Sequence, residues 1–327
     1  MGTSKLSLLC TPSLRGRWRV VLVVVLGVVI GIACDGGRGQ GADARSATTP
    51  PVSVTAVGAP VGSSSAPAVP PTADASTIDG GPTDAAPSRS PLRAPDPLIE
   101  LPLEGYDPAV VWLPLGATSP RPLVVVTHGN YDRPEWQCGQ WSRIVGSHGF
   151  VLCPRGKPRA DSPARDDMRY SYPNNRWLEE EIDVALAALR ARYGEYLAEG
   201  RIMYAGFSQG AIMGVAIAAR HPTRFGPLVL IEGGTGRWTA ARVKAYAAHP
   251  DQRVLFVCGQ KGCDIAARNA AARLQRAGVE ARHALVPGQG HSYGGPLNSP
   301  ILDAWHWLVA GDERWSGPHR SELRTQP

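Results

Sequence analysis

Lysine is scarce in this chain of 327 residues: only four of its 34 basic residues are lysine, and the others are arginine. The formal net charge is nevertheless +6. Nucleic-acid-binding proteins gather such charge into a stripe, or interleave it with stacking aromatic residues. Here the arginines are scattered among acidic residues along the chain. The sequence therefore predicts a mixed, solvated surface and no nucleic-acid partner.

The chain also lacks an apolar run of the roughly 20 residues that span a bilayer comfortably. The most apolar stretch, residues 20–33, has fourteen uncharged residues and follows Arg15, Arg17 and Arg19. This pattern is typical of an export signal. The stretch leads into Gly31-Ile32-Ala33-Cys34, which resembles a bacterial lipobox. We expect residues 1–34 to be a signal segment whose Cys34 is lipidated, making the protein an exported, membrane-anchored lipoprotein, periplasmic or on the cell surface. A cleaved secretory signal and an uncleaved N-terminal anchor are the alternatives.

Large apolar residues are rare from 35 to about 95, where proline, alanine, serine and glycine dominate. Such a stretch cannot bury enough apolar surface to offset its chain entropy. We expect residues 35–95 to be a disordered linker that tethers a domain at residues 96–315. Residues 316–327 read as a polar tail.

Residues 96–315 alternate short apolar runs with amphipathic segments, which predicts an α/β fold. Its central sheet should be mostly parallel, with helices on both faces. The runs predict strands at 110–113, 123–127, 150–153, 201–205, 228–231, 254–257 and 281–286, and helices at 141–148, 177–197, 211–220, 264–277 and 297–309. In such sheets functional residues gather at the carboxyl ends of the strands.

Gly206-Phe207-Ser208-Gln209-Gly210 lies between an apolar run and a helix-forming segment. Strand, tight turn and helix form the context of a G-x-S-x-G nucleophile elbow, in which the serine hydroxyl is exposed beside the first N–H groups of the helix. The alternative is a glycine-rich turn with an incidental serine. A nucleophilic Ser208 requires a base, an acid and an oxyanion hole from elsewhere in the chain.

His291 is the predicted base because it lies in a glycine-rich loop after the last predicted strand. The predicted acid is Asp264, which follows the strand at 254–257. Glu232, which follows the strand at 228–231, is the alternative. The predicted oxyanion donors are the backbone N–H groups of Gln209 and Asn130.

The motifs named so far resemble those of the α/β-hydrolase superfamily over residues 96–310. His128-Gly129, the Ser208 pentapeptide, the loop ending in Asp264, and Gly290-His291 are most similar to phospholipase/carboxylesterases and dienelactone-hydrolase-like esterases. The resemblance implies a Ser208 nucleophile, an Asp264 acid, a His291 base and the two oxyanion donors. Dienelactone hydrolases carry a cysteine nucleophile, however, and serine here makes lactone hydrolysis a poor expectation.

The expected activity is therefore hydrolysis of carboxylic esters through an acyl-enzyme, with no cofactor and no metal. The polar segment at 154–177 favours a small or polar ester, and the predicted pocket residues are Tyr131, Trp136, Tyr172 and Trp177. No long insertion separates the elbow helix from the strand at 254–257, so we expect no large lid. A peptidase of the prolyl-oligopeptidase type and a non-catalytic, tethered binding domain are the alternatives.

The domain contains four cysteines, Cys138, Cys153, Cys258 and Cys263, an even number that suits disulfides in an exported protein. Three pairings are possible. Cys138–Cys153 with Cys258–Cys263 is the predicted one, because each pair brackets a loop at a strand end. Zinc binding is the alternative, although the chain has no C-x-x-C pair.

Overall fold

The computed structural model describes residues 89–315. The predicted signal segment with Cys34, most of the predicted linker and the polar tail lie outside the described residues. Within 89–315, no helix combines the length and apolarity needed to cross a membrane.

Ten strands and six α-helices alternate along residues 89–315. The strands are β1 (Leu98–Leu103), β2 (Tyr106–Trp112), β3 (Leu123–Thr127), β4 (Phe150–Cys153), β5 (Lys157–Pro158), β6 (Tyr170–Ser171), β7 (Ile202–Phe207), β8 (Phe225–Ile231), β9 (Arg253–Cys258) and β10 (Glu280–Leu285). The helices are α1 (Pro134–Val145), α2 (Asn175–Tyr193), α3 (Gln209–Arg220), α4 (Ala240–Tyr246), α5 (Lys261–Gln275) and α6 (Asn298–Leu308).

Eight of the strands form one sheet in the order β1-β2-β4-β3-β7-β8-β9-β10. In this sheet the pairs β1–β2 and β2–β4 are antiparallel, and the other five neighbouring pairs are parallel. The predicted α/β class with a mostly parallel central sheet is confirmed. The parallel strands end at one edge, and the loops that follow β3, β7, β8, β9 and β10 meet there.

Each face of the sheet is covered by helices, because successive strand residues point to opposite faces and both sets are apolar. On one face Val125 and Leu152 pack with α2, α3, α4 and α5. On the other face Val124 and Val151 pack with α1 and α6. Burying one such side chain contributes about 2 kcal/mol. Two packed layers therefore hold the strand ends, and with them the loops, in place.

Local sequence signals explain two helix starts that precede the predicted ones. The Asn174 side chain accepts hydrogen bonds from the N–H groups of Arg176 and Trp177, so α2 begins at 175 instead of 177. Pro134 occupies the first position of α1, where its missing N–H costs nothing, so this helix begins seven residues earlier than expected.

Both predicted disulfides are present. Cys138 of α1 joins Cys153 at the end of β4, with the two Cα atoms 5.8 Å apart. Cys258 at the end of β9 joins Cys263 in the first turn of α5, with the two Cα atoms 5.6 Å apart. The second disulfide closes the short loop that contains Gly259 and Gln260.

Candidate active site

Ser208 forms the turn between β7 and α3, with φ 48° and ψ −109°. A serine in such left-handed backbone costs about 1–3 kcal/mol, so surrounding contacts must enforce it. The flanking glycines make those contacts possible. A Cβ on Gly206 would lie 2.6 Å from the Ala211 nitrogen, and one on Gly210 would lie 2.5 Å from the Thr127 carbonyl oxygen. The strand and helix therefore pass too closely for any larger residue at either position.

His291 lies in the loop after β10, as the sequence predicted, and its side chain is 49 % exposed. Its Nε2 is 2.8 Å from the Ser208 Oγ. The Phe207 ring packs against the imidazole with the centroids 5.1 Å apart. The loop thus places an imidazole nitrogen in hydrogen-bond contact with the serine hydroxyl.

The carboxylate that contacts His291 belongs to Glu232, the residue directly after β8. Its Oε2 is 3.2 Å from the His291 Nδ1, and its side chain is only 2 % exposed. Its Oε1 accepts hydrogen bonds from the N–H groups of Gly259 and Gln260, at 2.5 Å and 2.9 Å. Glu232 also has a positive φ of 50°. A buried carboxylate held by two backbone donors has one oxygen left to orient the imidazole.

The structure does not place the predicted acid, Asp264, against His291, because α5 begins at Lys261 and carries Asp264 into its first turn. There the carboxylate contacts the His283 Nδ1 at 2.9 Å and the Arg268 guanidinium at 2.6 Å. Burial acts to raise the pKa of Asp264, but the hydrogen bonds from Arg268 and His283 outweigh it, and the pKa is lowered. Asp264 therefore ties α5 to β10 and does not reach His291.

Of the two predicted oxyanion donors, Gln209 directly follows Ser208, and Asn130 follows Gly129, where an added Cβ would lie 3.4 Å from the Ser208 Cβ. Within residues 89–315, neither the Asn130 N–H nor the Gln209 N–H has a protein acceptor. Their side chains are engaged elsewhere. The Asn130 Oδ1 accepts from Arg159, and the Gln209 amide makes two hydrogen bonds with the backbone of Tyr172. These contacts fix both loops while leaving the backbone donors available, and the donor roles remain a prediction.

His128, which the sequence identified in the His128-Gly129 motif without a role for its side chain, supports the loop after β3. Its fully buried ring contacts the Gly129 carbonyl oxygen at 2.7 Å and the Arg155 carbonyl oxygen at 2.8 Å. Burial lowers the pKa of His128, opposed by these carbonyl contacts. The backbone N–H of His128 donates to the Tyr172 hydroxyl, which in turn donates to the Pro154 carbonyl. The loop is therefore hydrogen-bonded to the segment that follows β4.

The structure divides the four predicted pocket residues. Tyr131 and Trp136 are 39 % and 44 % exposed and lie on or beside the Asn130 loop. The Arg169 guanidinium packs over both rings, 5.8 Å and 4.3 Å from their centroids. Tyr172, by contrast, is buried and holds the His128 segment, so it does not line a pocket.

Trp177, the fourth of these residues, lines a separate open groove of about 480 Å³ with Tyr106 and Lys157. Glu181 lies beneath the backbone that borders this groove and is fully buried. It accepts hydrogen bonds from the N–H groups of Arg155 and Gly156. Burial raises its pKa to about 7, although these hydrogen bonds oppose the shift.

Among residues 89–315, one group of potential metal ligands has its atoms within 4.8 Å of one another: Glu232, Cys258 and Cys263. The two sulfur atoms are joined in a disulfide and cannot act as thiolates. The Glu232 carboxylate is already engaged by Gly259, Gln260 and His291. The chemistry of this donor set therefore suits a structural clamp better than a metal site.

No family model and no curated relative matches the chain. Among solved structures, it is similar to the esterase PE8, with 19 % identity, a TM-score of 0.44, and coverage of 58 % of this chain and 94 % of that one. It is similar to a dienelactone hydrolase from Anabaena variabilis, with 14 % identity, a TM-score of 0.44, and coverage of 67 % and 97 %. A lipase in an open form gives 14 % identity, a TM-score of 0.47, and coverage of 67 % and 100 %. No residue role is transferred from these proteins to the present chain.

The strand order and the position of Ser208 describe the chain's architecture without such a transfer. A mostly parallel sheet carries the serine on a strained turn between a central strand and the helix that follows it. The acid and the histidine follow it in the chain order Ser208, Glu232, His291, and each comes after its own strand. This arrangement is that of the α/β-hydrolase fold.

Proposed function

We propose that the protein is a serine hydrolase that cleaves carboxylic esters through an acyl-enzyme intermediate. The observation that carries this proposal is the continuous hydrogen-bonded chain from the Ser208 Oγ through the His291 ring to the buried Glu232 carboxylate. Serine, a base in hydrogen-bond contact and an acid that orients the base are the parts that nucleophilic acyl transfer requires.

In the proposed mechanism each group has one task. His291 Nε2 accepts the Ser208 proton as Oγ attacks the ester carbonyl, and Glu232 stabilises the imidazolium that forms. The N–H groups of Asn130 and Gln209 hold the oxyanion, each worth about 3 kcal/mol in the transition state. His291 then protonates the leaving alcohol, and water repeats the sequence to release the acid.

The wall beside Asn130 supports a preference for small or polar esters. This wall consists of Tyr131 and Trp136. The guanidinium groups of Arg159 and Arg169 cover the Tyr131 ring, and that of Arg169 also covers the Trp136 ring, so a substrate would meet cations and ring edges here and no broad apolar surface. We expect p-nitrophenyl acetate to be hydrolysed with a higher kcat/KM than p-nitrophenyl palmitate. A preference for palmitate would contradict this assignment of the substrate class.

Hydrolysis of p-nitrophenyl acetate by the wild type and by Ser208→Ala tests the enzymatic proposal. Ser142→Ala is the matched control, because the Ser142 hydroxyl bonds only within its own helix, to the Gly139 carbonyl. We expect hydrolysis to be lost in Ser208→Ala and retained in Ser142→Ala. An inactive wild type, or a Ser208→Ala variant with wild-type turnover, would refute it and favour a non-catalytic binding domain.

We also propose, from the sequence alone, that the domain is exported and attached to a membrane through a lipid on Cys34. Metabolic labelling with palmitate should mark the wild type and not Cys34→Ala. Absence of label, with Cys34→Ala still in the membrane fraction, would contradict the proposal.

A further inference from the structure

Asp132 is a buried carboxylate that connects two loops at the catalytic edge of the sheet. Its Oδ2 accepts hydrogen bonds from the Gly129 N–H at 3.3 Å and from the Gln137 amide at 3.4 Å. Its Oδ1 accepts from the Arg133 N–H at 2.8 Å and from the Tyr293 hydroxyl at 3.0 Å. The last contact joins residues that are 161 positions apart in the chain. One side chain therefore links the loop after β3 to the loop after β10.

Tyr293 lies two residues after His291 and, like His291, contacts Phe207, the residue before Ser208. Its ring packs against Phe207 with the centroids 4.7 Å apart, and Phe207 in turn packs against His291. Burial, together with the nearby Asp132, raises the pKa of Tyr293, so the phenol keeps its proton and is the donor in this hydrogen bond.

Gly129 also lies close to Phe207. A Cβ at Gly129 would lie 2.8 Å from the Phe207 ring, so the loop after β3 and the loop after β10 both pack against that ring. The two loops arise from strands separated in the sheet by β7, β8 and β9. No backbone hydrogen bond joins residues 128–133 to residues 288–295, within the part of the chain that the structure describes.

We propose that Asp132 and Tyr293 act as a positioning pair, which holds the loop of the oxyanion donors in register with the loop of His291. This inference rests on the proposed function, since it assigns the two loops their catalytic parts. The donors and the base must address the same carbonyl carbon. Because a displacement of about 1 Å can cost roughly 100-fold in rate, a link between separately anchored loops matters for turnover.

Four variants of the full chain test the pair. Tyr293→Phe removes the phenolic donor. Asp132→Asn leaves a single oxygen to accept the hydrogen bonds that the two carboxylate oxygens accept in the wild type. The double variant reports whether the two residues act as a unit. Tyr196→Phe is the matched control, because it also removes one phenolic hydrogen bond, to the Ser90 carbonyl, on a helical turn that precedes β7, whereas Ser208 follows the opposite end of that strand.

The first measurement is steady-state kinetics, with kcat expressed per Ser208 site that a fluorophosphonate titrates. We expect Tyr293→Phe to lower kcat between about tenfold and about 100-fold with KM within about twofold. The double variant should lose little more than Asp132→Asn alone, and Tyr196→Phe should keep wild-type kcat. Unchanged kcat per titrated site in Tyr293→Phe, with only a lowered Tm, would assign the pair a merely structural role and overturn the inference.

Amide hydrogen exchange gives a measurement that does not depend on turnover. We expect Tyr293→Phe to speed exchange at residues 129–132, and Asp132→Asn to speed it at residues 288–295. If each variant affects only its own loop, the proposed link is refuted. A wild type that neither hydrolyses esters nor is labelled at Ser208 would refute the proposed function, and the reciprocal exchange would then decide on the link alone.

Discussion

Replacing Glu232 by glutamine changes one atom of the candidate site and tests which acid orients His291. The glutamate Oε1 accepts two backbone hydrogen bonds, from Gly259 and Gln260. In Glu232→Gln these two donors select the amide oxygen, so the NH₂ group is turned toward the His291 Nδ1. That nitrogen must then be an acceptor, and the ring proton moves to Nε2. The histidine then cannot take the Ser208 proton.

The expected loss follows from this tautomer and from the lost stabilisation of the imidazolium. An amide in place of the acid of a serine triad lowers kcat by about 10⁴-fold, equivalent to roughly 5 kcal/mol in the activation free energy. KM should change little, since Glu232 is buried beneath His291 and does not face the substrate. The fold should persist because the glutamine is isosteric and both backbone donors keep their acceptor.

Asp264→Asn is the matched control, since it also replaces a buried carboxylate by its isosteric amide, at the residue that the sequence predicts as the acid. Its contacts are His283 and Arg268, so we expect kcat within about twofold of wild type and a lower Tm. The assay is hydrolysis of p-nitrophenyl acetate by each variant, with circular dichroism to confirm folding. A folded Glu232→Gln enzyme with near wild-type kcat, or an inactive and folded Asp264→Asn, would refute the assignment of the acid.

Three further changes test other parts of the account. Glu181→Gln should stabilise the protein at pH 8 more than at pH 5, and the difference between the two gains should be at most about 3 kcal/mol. The pKa of Glu181 is raised to about 7, so the wild-type native state loses stability as pH rises from 4.5 toward 7, and glutamine removes this loss. Equal gains in Tm at both pH values would contradict this. Replacing Cys258 and Cys263 together by alanine should lower both kcat and Tm, since their disulfide closes the loop whose N–H groups hold the acid; unchanged kcat would show that the loop needs no closure. Gly210→Ala should lower the free energy of unfolding by about 1–3 kcal/mol and remove most activity, since its Cβ would clash with Thr127. Gly139→Ala, with open space around it, should lower neither stability nor activity, and equal Tm values for the two variants would contradict the clash.

The sheet and the serine turn could be predicted because their signals are local. A β-branched run such as 123–127 predicts a buried strand without knowledge of which strands lie beside it. The glycines two residues before and two residues after Ser208 indicate that β7 and α3 pass close to each other and to neighbouring backbone. Likewise His291 follows the last strand in a glycine-rich loop, and the sheet carries every such loop to the same edge.

The acid could not be decided by the same rule, because Glu232 and Asp264 both follow parallel strands. The choice depends on two facts of three-dimensional structure. The helix α5 begins at Lys261, which turns Asp264 away toward His283, and the N–H groups of Gly259 and Gln260 point at Glu232.

Long-range side-chain contacts were beyond sequence reasoning for a similar cause. Asp132 and Tyr293 are 161 residues apart, and neither belongs to a motif. Tyr172 was expected in the pocket as an aromatic residue in a polar segment, yet its hydroxyl is needed inside, between His128 and Pro154. Pairings of this kind depend on packing that no periodicity reveals.

Covalent labelling tests whether Ser208 is a nucleophile that His291 activates. The full-length protein is treated with a fluorophosphonate probe, digested, and analysed by mass spectrometry, beside Ser208→Ala and His291→Ala. We expect one stoichiometric adduct on Ser208, none in Ser208→Ala and strongly slowed labelling in His291→Ala. A folded wild-type protein that takes no adduct, or takes it at another serine, would contradict the account.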